Sequence, residues 1–405
     1  MIFQKYHFLF TGILILLVVI FGGLYVRESY RNVDIASESL TKNESANTPS
    51  VVVEVSQVVN AEDARKTSAA PRAPLKKVDN SSALLGKSAL ELSLPTGFAN
   101  SEPFKLQDLV GKNVIVLSFQ NYSSINSVRA LPYLNNWHQK YRNSGLSVIT
   151  VHTPRFAFDR TKDFVDKMAF THRVIHPIVL DSQFANAKAW ESREWPTTFL
   201  VDIHGKVVSV FRGEGSYDTI DARIQQLLSE RAKKLGVSEI PFTPFETPGG
   251  VIRVEHPMVQ SPETFFGAVL NSRLSNGIAH RMGIQDMKPI STVLLNKLYL
   301  SGSWEFTGDF ARSSIEQCAI TYRYNAKNVY ATLGSSKTTK VYITLDGGPL
   351  GARAGADVRE EKGQSYIFVT EERIYDIVKG DTYGEHTLVF TPETPGLEAY
   401  VLMFG

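Results

Sequence analysis

Gln120 to Trp137 reads QNYSSINSVRALPYLNNW and follows the apolar run VIVLSF (114–119) directly. An unbroken run of β-branched and apolar residues is what a strand buried on both faces needs. The polar residues NYSS stop that strand, and apolar residues then recur at helical spacing to about Arg142. A strand, a short loop and a helix N-terminus in this order make one step of an α/β fold.

Working outward, the step repeats. LSVITVHT (146–153) is a strand, DRTKDFVDKMAFTHR (159–173) a helix, HPIVLD (176–181) a short strand and SQFANAKAW (182–190) a helix. TTFLVDIHGKVVSVFRG (197–213) reads as two strands around a turn at His204-Gly205, and YDTIDARIQQLLSERAKKL (217–235) closes as a helix. Strands joined by crossover helices predict a mostly parallel sheet over 85–236, with the last hairpin as an antiparallel edge. Residues 237–250, with three prolines, read as a hinge. Beyond it the period changes to two. AITYRYN, NVYATLG, KVYITLD, SYIFVTEERIYDIV, HTLVFTP and EAYVLMFG are short, β-branched and aromatic, and predict an all-β sandwich over 251–405. The interval 262–300 offers loops and one or two short elements.

At the other end, FLFTGILILLVVIFGGLYV (Phe8–Val26) carries no charge. Nineteen helical residues span about 28 Å, close to the hydrocarbon thickness of a bilayer. The stretch is long for the core of a cleaved signal peptide and lacks a small-residue cleavage site, so a transmembrane anchor over 1–31 is the preferred reading. Lysine and arginine flank it too evenly to set its orientation. Residues 32–84 form a polar, flexible stem.

Composition excludes several classes. The 405 residues suggest two or three domains, and a net charge of +2 argues against a nucleic-acid partner. Cys318 is the single cysteine, so there is no CxxC pair and no intramolecular disulfide. The nine histidines suggest no structural zinc site. DGGPLG (346–351) is a hairpin turn with no nucleotide-binding helix behind it, so no cofactor is expected.

The order of elements resembles the thioredoxin fold, and particular residues sharpen the likeness. NYSSINSVRALPYLNNWHQKYRNSGLSVITVHTPRFAFD, REWPTTFLVDIHGKV and FRGEGSYD resemble the membrane-anchored TlpA-like thioredoxins, most of all the DipZ type. Those have an S-C-I-N-C-x-R-A-x-P run in this place. GSWEFTGDFA, NVYATLG, VYITLDG and PGLEAYVLMFG resemble the sandwich that follows the thioredoxin domain in DipZ-like proteins, a jelly-roll or carbohydrate-binding-module type of build. The resemblance covers roughly 85–405. It implies thiol-disulfide oxidoreductase ancestry, an extracytoplasmic position, and a cis-proline at Pro196 facing the active site. Ser124 matches the nucleophilic cysteine and Ser127 the resolving one. Tyr122, Asn126, Trp195 and Thr197 match the groove between the loop and that proline.

The departure is decisive for chemistry. A helix N-terminus lowers a thiol pKa from about 8.5 into the range where thiolate attacks a disulfide. A serine hydroxyl ionises far higher, and oxygen cannot complete the exchange cycle. Acyl transfer would need a base. His138 lies more than two turns beyond Ser127, and the HTP that holds His152 occurs with intact cysteines too. The preferred role for Ser124 is therefore an N-cap, with Ser127 inside the first turn. Cys318 reads as a small buried residue of a strand. Trp304, Tyr322, Tyr324, Tyr330, Tyr342 and Tyr366 could stack on a glycan, although alternating strand aromatics are more often core. The expected function is a membrane-tethered, redox-inactive binding or scaffold module with a protein or peptide partner. A thiol-disulfide oxidoreductase and a glycan-binding envelope protein are the alternatives.

Overall fold

The computed structural model describes residues 81–405, which fall in one compact unit. The expected anchor (1–31) and all but the last four residues of the expected stem (32–84) lie outside the described residues. Among the described residues no helix is long and apolar enough to cross a membrane.

The first layer is a six-stranded sheet in the order β1-β4-β3-β2-β5-β6. Its strands are β1 (Gly97–Ala99), β2 (Val114–Gln120), β3 (Leu146–His152), β4 (Ile178–Leu180), β5 (Thr197–Val201) and β6 (Val207–Arg212). β2, β3 and β4 run parallel, while β5, β6 and β1 pair antiparallel. Every residue of β2 is buried, as its apolar run requires of a central strand covered on both faces. On one face α1 (Ile125–Tyr141) packs against β3 and α4 (Tyr217–Leu235) against β2. The two helices touch through the stacked rings of Tyr133 and Tyr217, 3.6 Å apart, and a 3.0 Å bond from Tyr141 Oη to Asp221. On the other face Ile115, Leu117 and Phe119 gather Trp190 and Phe199. Two shorter helices complete the layer, α2 (Lys162–Thr171) and α3 (Ala185–Ala189). The β5–β6 turn needs its glycine: Gly205 has φ +74°, and a Cβ there would meet Val110 Cγ1 at 2.8 Å.

The expected parallel core and terminal hairpin are present. β1, an edge strand of three residues, has no period in the sequence to announce it.

The C-terminal region is one ten-stranded sheet whose named strands pair antiparallel throughout. Its strands are β7 (Thr264–Phe265), β8 (Gly283–Met287), β9 (Leu298–Phe306), β10 (Ala311–Ser313), β11 (Ala319–Ser335), β12 (Thr339–Leu345), β13 (Arg359–Glu361), β14 (Gln364–Val369), β15 (Arg373–Pro392) and β16 (Leu397–Phe404). The sequence divides β11 into two runs and merges β14 with the start of β15. In the structure β11 continues for 17 residues through a register shift between Ala326 and Asn328. A bulge of this kind bends a strand without ending it. The first half of β11 pairs with β9 and its second half with β16. The sheet thus closes over one core, in which Tyr322 and Tyr324 of the first half stack on Phe404 of β16.

The segment read as a hinge is held in place. Thr243 exchanges two hydrogen bonds with the Gln225 side chain on α4, and the ring of Phe245 stacks over Tyr133 on α1 at 6.2 Å.

Candidate functional site

Residues 121–124 join β2 to α1 and are tied down from below. Asn121 Nδ2 donates to Thr153 O and to Asp159 Oδ2, at 2.9 and 3.0 Å. The Ser123 hydroxyl lies 2.6 Å from both Asn121 Oδ1 and Asp159 Oδ2. Asp159 is fully buried and also accepts from the backbone amides of Arg155 and Phe156. Burial of a carboxyl group is tolerated when donors surround it, as here.

Ser124 occupies the N-cap position of α1, with extended backbone at φ −107°, ψ 126°. The capping hydrogen bond expected from its side chain is not made. Ser127 turns back instead, and its Oγ accepts from the Asn121 amide at 3.0 Å. Two serines that look alike in the sequence therefore differ in weight. Ser124→Ala should cost less than the roughly 1 kcal/mol usual for losing a cap. Ser127→Ala orphans a buried amide and should cost about 1–3 kcal/mol. Urea denaturation of the two variants checks the order.

Across the loop, Trp195-Pro196 is a cis peptide. Thr197 Oγ1 donates to Glu194 O at 2.7 Å, and Asn126 Oδ1 accepts from Arg129 at 2.6 Å. Arg129 in turn forms a buried bidentate pair with Glu214. The Tyr122 ring lies 4.9 Å from that of His152. His152 is fully buried; desolvation pushes its pKa down, partly opposed by Asp159, whose carbonyl lies 2.8 Å from Nε2. That ring is engaged beneath the loop. His138 sits in the last turn of α1, about 16 Å along the axis from Ser127. Neither serves Ser124 or Ser127 as a base.

These residues do not line an open groove. The C-terminal region covers them. Met403 Sδ accepts from the Ile125 amide at 3.4 Å, and Thr332 Oγ1 donates to Ser123 O at 3.3 Å. Ile125, Phe156, Tyr330, Tyr400, Val401 and Met403 form a buried cluster of their own, separate from the core of either layer. Arg155 pairs with Glu263 at 3.0 Å and lies between the rings of Trp195 and Phe265. Asp309 accepts from the Ala157 amide at 2.8 Å, and Lys167 pairs with Glu371. Ser124 and Ser127 are 1% and 0% exposed. Full burial of one large apolar side chain contributes about 1.5–3 kcal/mol, so the cluster helps to hold the cover down.

Of the covering residues the sequence reading names only Tyr330, and not for this role. One signal was available: β16 is apolar at nearly every position and buried on both faces, where a strand on an isolated sandwich would alternate.

The remaining sequence candidates fall elsewhere. Cys318 is fully buried in the C-terminal core, its Sγ 3.3 Å from Ser303 O. Trp304, Tyr322 and Tyr324 are core residues, and Tyr330 belongs to the covering cluster. Tyr342 and Tyr366 flank Lys340, whose Nζ lies 4.8 and 3.9 Å from their ring centres. Phe368 extends this strip. His172 and His176 stand four residues apart, the one such spacing in the chain. α2 ends at Thr171, however, so the pair is not presented on one helix face. Among the described residues no three potential metal ligands gather.

Two separate stretches of the chain match known families. Residues 84–226 match the Redoxin family, and residues 261–405 match the family described as a thioredoxin-like C-terminal domain. Protein DipZ of Mycobacterium bovis is 30% identical over 315 residues, which cover 76% of this chain and 42% of DipZ. The chain thus spans less than half the length of that relative. The thiol-disulfide oxidoreductase YkuV of Bacillus subtilis is 26% identical over 140 residues, 35% of this chain and 93% of YkuV. The crystal structure of a putative thiol:disulfide interchange protein DsbE from Chlorobium tepidum is 23% identical, covers 36% of this chain and 97% of its own, and superposes with a TM-score of 0.31. Residues 84–226 thus resemble the Redoxin family and residues 261–405 the thioredoxin-like C-terminal domain, and the stretch that joins them is similar to part of DipZ.

Proposed function

We propose that the chain is a redox-inactive redoxin that works as a binding or scaffold module. It is tethered to the membrane by residues 1–31 and holds its domains outside the cytoplasm. The observation that carries this reading is the absence of sulfur where exchange chemistry needs it. Ser124 and Ser127 hold the positions that the resemblance assigns to the two cysteines, and the one cysteine, Cys318, is enclosed in the other domain. Disulfide exchange requires a thiolate attacker and a second thiol to release the mixed disulfide. The names of the relatives favour a thiol-disulfide oxidoreductase as the second reading. Its one route here would run through Cys318 or a partner's cysteines. With the cleft covered in the closed chain, the surface that stays open to a partner is the strip around Lys340, Tyr342 and Phe368, which suits a polypeptide or a glycan.

The test is insulin reduction with a dithiol donor. The chain should show no turnover above buffer. Turnover that disappears on Cys318→Ser overturns the redox-inactive reading.

A further inference from the structure

The C-terminal domain sits on the loop face through a cluster separate from the core of either domain. Ile125 and Phe156 come from the redoxin side; Tyr330, Tyr400, Val401 and Met403 come from the other. They belong to neither of the two domain cores. Around this cluster the contacts are polar and reach solvent. Glu263, the partner of Arg155, is 29% exposed, and Lys167 and Glu371 are more so. Ala157 N–H to Asp309 is likewise a contact at the edge. An apolar centre with a wet polar rim is the anatomy of surfaces that dock and part as units, and domain interfaces within a chain commonly behave this way. The covalent link through residues 237–250 keeps the two domains at high effective concentration, so the docked state re-forms readily.

We propose that the C-terminal domain is a built-in, separable lid on the redoxin domain. In the resting chain it closes the cleft around Ser124 and Pro196, and the cleft becomes reachable only when the domains part. Met403 is the pivotal contact. Its sulfur occupies the first free amide of α1, a donor that any ligand at the helix N-terminus would have to take over. Tyr400, packed between Phe156 and Phe158 at ring distances of 5.0 Å each, seats the lid beside it. The lid concerns access rather than bond chemistry. The redox-inactive reading can therefore fail while the lid stands, and the reverse.

The test uses the full chain carrying Ser124→Cys, with the natural Cys318 as internal reference. N-ethylmaleimide is added under native conditions and each site is read by peptide mass spectrometry. Local opening events span the range from nearly free to fully global unfolding, so the thiol introduced at 124 should react roughly 100-fold slower than in the urea-unfolded chain, yet clearly faster than Cys318. Asp309→Ala, which orphans a contact at the rim, should speed the reaction at 124 by about tenfold and leave Cys318 unchanged. A thiol at 124 as reactive as in the unfolded chain means that the cleft is open. Reaction in step with Cys318, unmoved by Asp309→Ala, means that the two domains unfold together and that no lid exists. Val128→Cys, half-buried against the same cluster, serves if the first variant does not fold.

Discussion

Replacing Ser124 and Ser127 together with cysteine should give a chain whose thiols, counted in denaturant, fall from three to one after mild oxidation. The bridged pair is the new one, because Cys318 is enclosed in the other domain. The geometry is favourable. Both positions lie at the start of α1, with Ile125 and Asn126 between them. The helix N-terminus supports a thiolate at 124. The costs are unequal. Position 124 loses no capping bond, whereas position 127 exchanges a good oxygen acceptor for a weak sulfur one at the Asn121 amide, worth about 1 kcal/mol. A bridge across so short a loop returns little of that through chain entropy. Formation of the disulfide should nevertheless not bring rapid reduction of protein substrates. The thiolate would compete with Met403 for the Ile125 amide beneath the C-terminal domain, and turnover would follow only the fraction of molecules in which the domains have parted. Asp309→Ala in the same background should raise that turnover. Two thiols that stay free while the protein remains folded show that these positions are not the old cysteine pair. Turnover as fast as that of an uncovered thioredoxin, with no response to Asp309→Ala, shows that the cover does not restrict access.

What the sequence discloses here depends on the range of the interaction. β2, β3, α1 and α4 are legible because burial of a central strand or of one helix face imposes a local period on consecutive residues. Near the loop the sequence marks Tyr122, Pro196 and Thr197, and in the structure Tyr122 and Thr197 are buried and Trp195-Pro196 is cis. Partner choice within the site was not legible. That Ser127 rather than Ser124 holds the loop depends on the rotation of two hydroxyls by the same backbone turn. That Met403 and Thr332 close the cleft depends on contacts more than 200 residues apart, which leave no period in either segment. The long strands were divided wrongly for a related reason. Asn325 to Asn328 look like a turn, yet the strand runs through them because β15 supplies hydrogen-bond partners on both sides of the bulge. The tyrosines of the C-terminal domain are the reverse case: alternation favours core for them, and Tyr322 and Tyr324 are core residues where the sheet closes.

Lowering the pH from 7.5 to 5 should destabilise the chain by an excess of about 2 kcal/mol that His176→Gln removes. His176 is fully buried beneath β3, with one ring nitrogen 2.8 Å from Thr150 Oγ1 and the other, Nδ1, without a hydrogen-bond partner. Burial, helped by the neighbouring His138, pushes its pKa down to about 3. In the unfolded chain an ordinary histidine titrates near 6.5. Above 6.5 neither state binds the proton, and the full stability is present. Between 6.5 and 3 the unfolded chain takes up a proton that the native ring refuses, so each pH unit of acidification removes about 1.4 kcal/mol. The loss is complete only near pH 3, where the native ring charges as well. His152, also driven down by burial, adds to the loss in the same direction and remains in the variant. Carboxylates contribute to acid destabilisation too, which is why the comparison is the difference between two pH profiles rather than one profile alone. Urea denaturation at half-unit steps should give a wild-type slope steeper by about one proton between pH 6 and 5. Parallel profiles for wild type and His176→Gln, even if displaced from each other, would show that His176 is charged in the folded chain and that its enclosure beneath β3 is wrong.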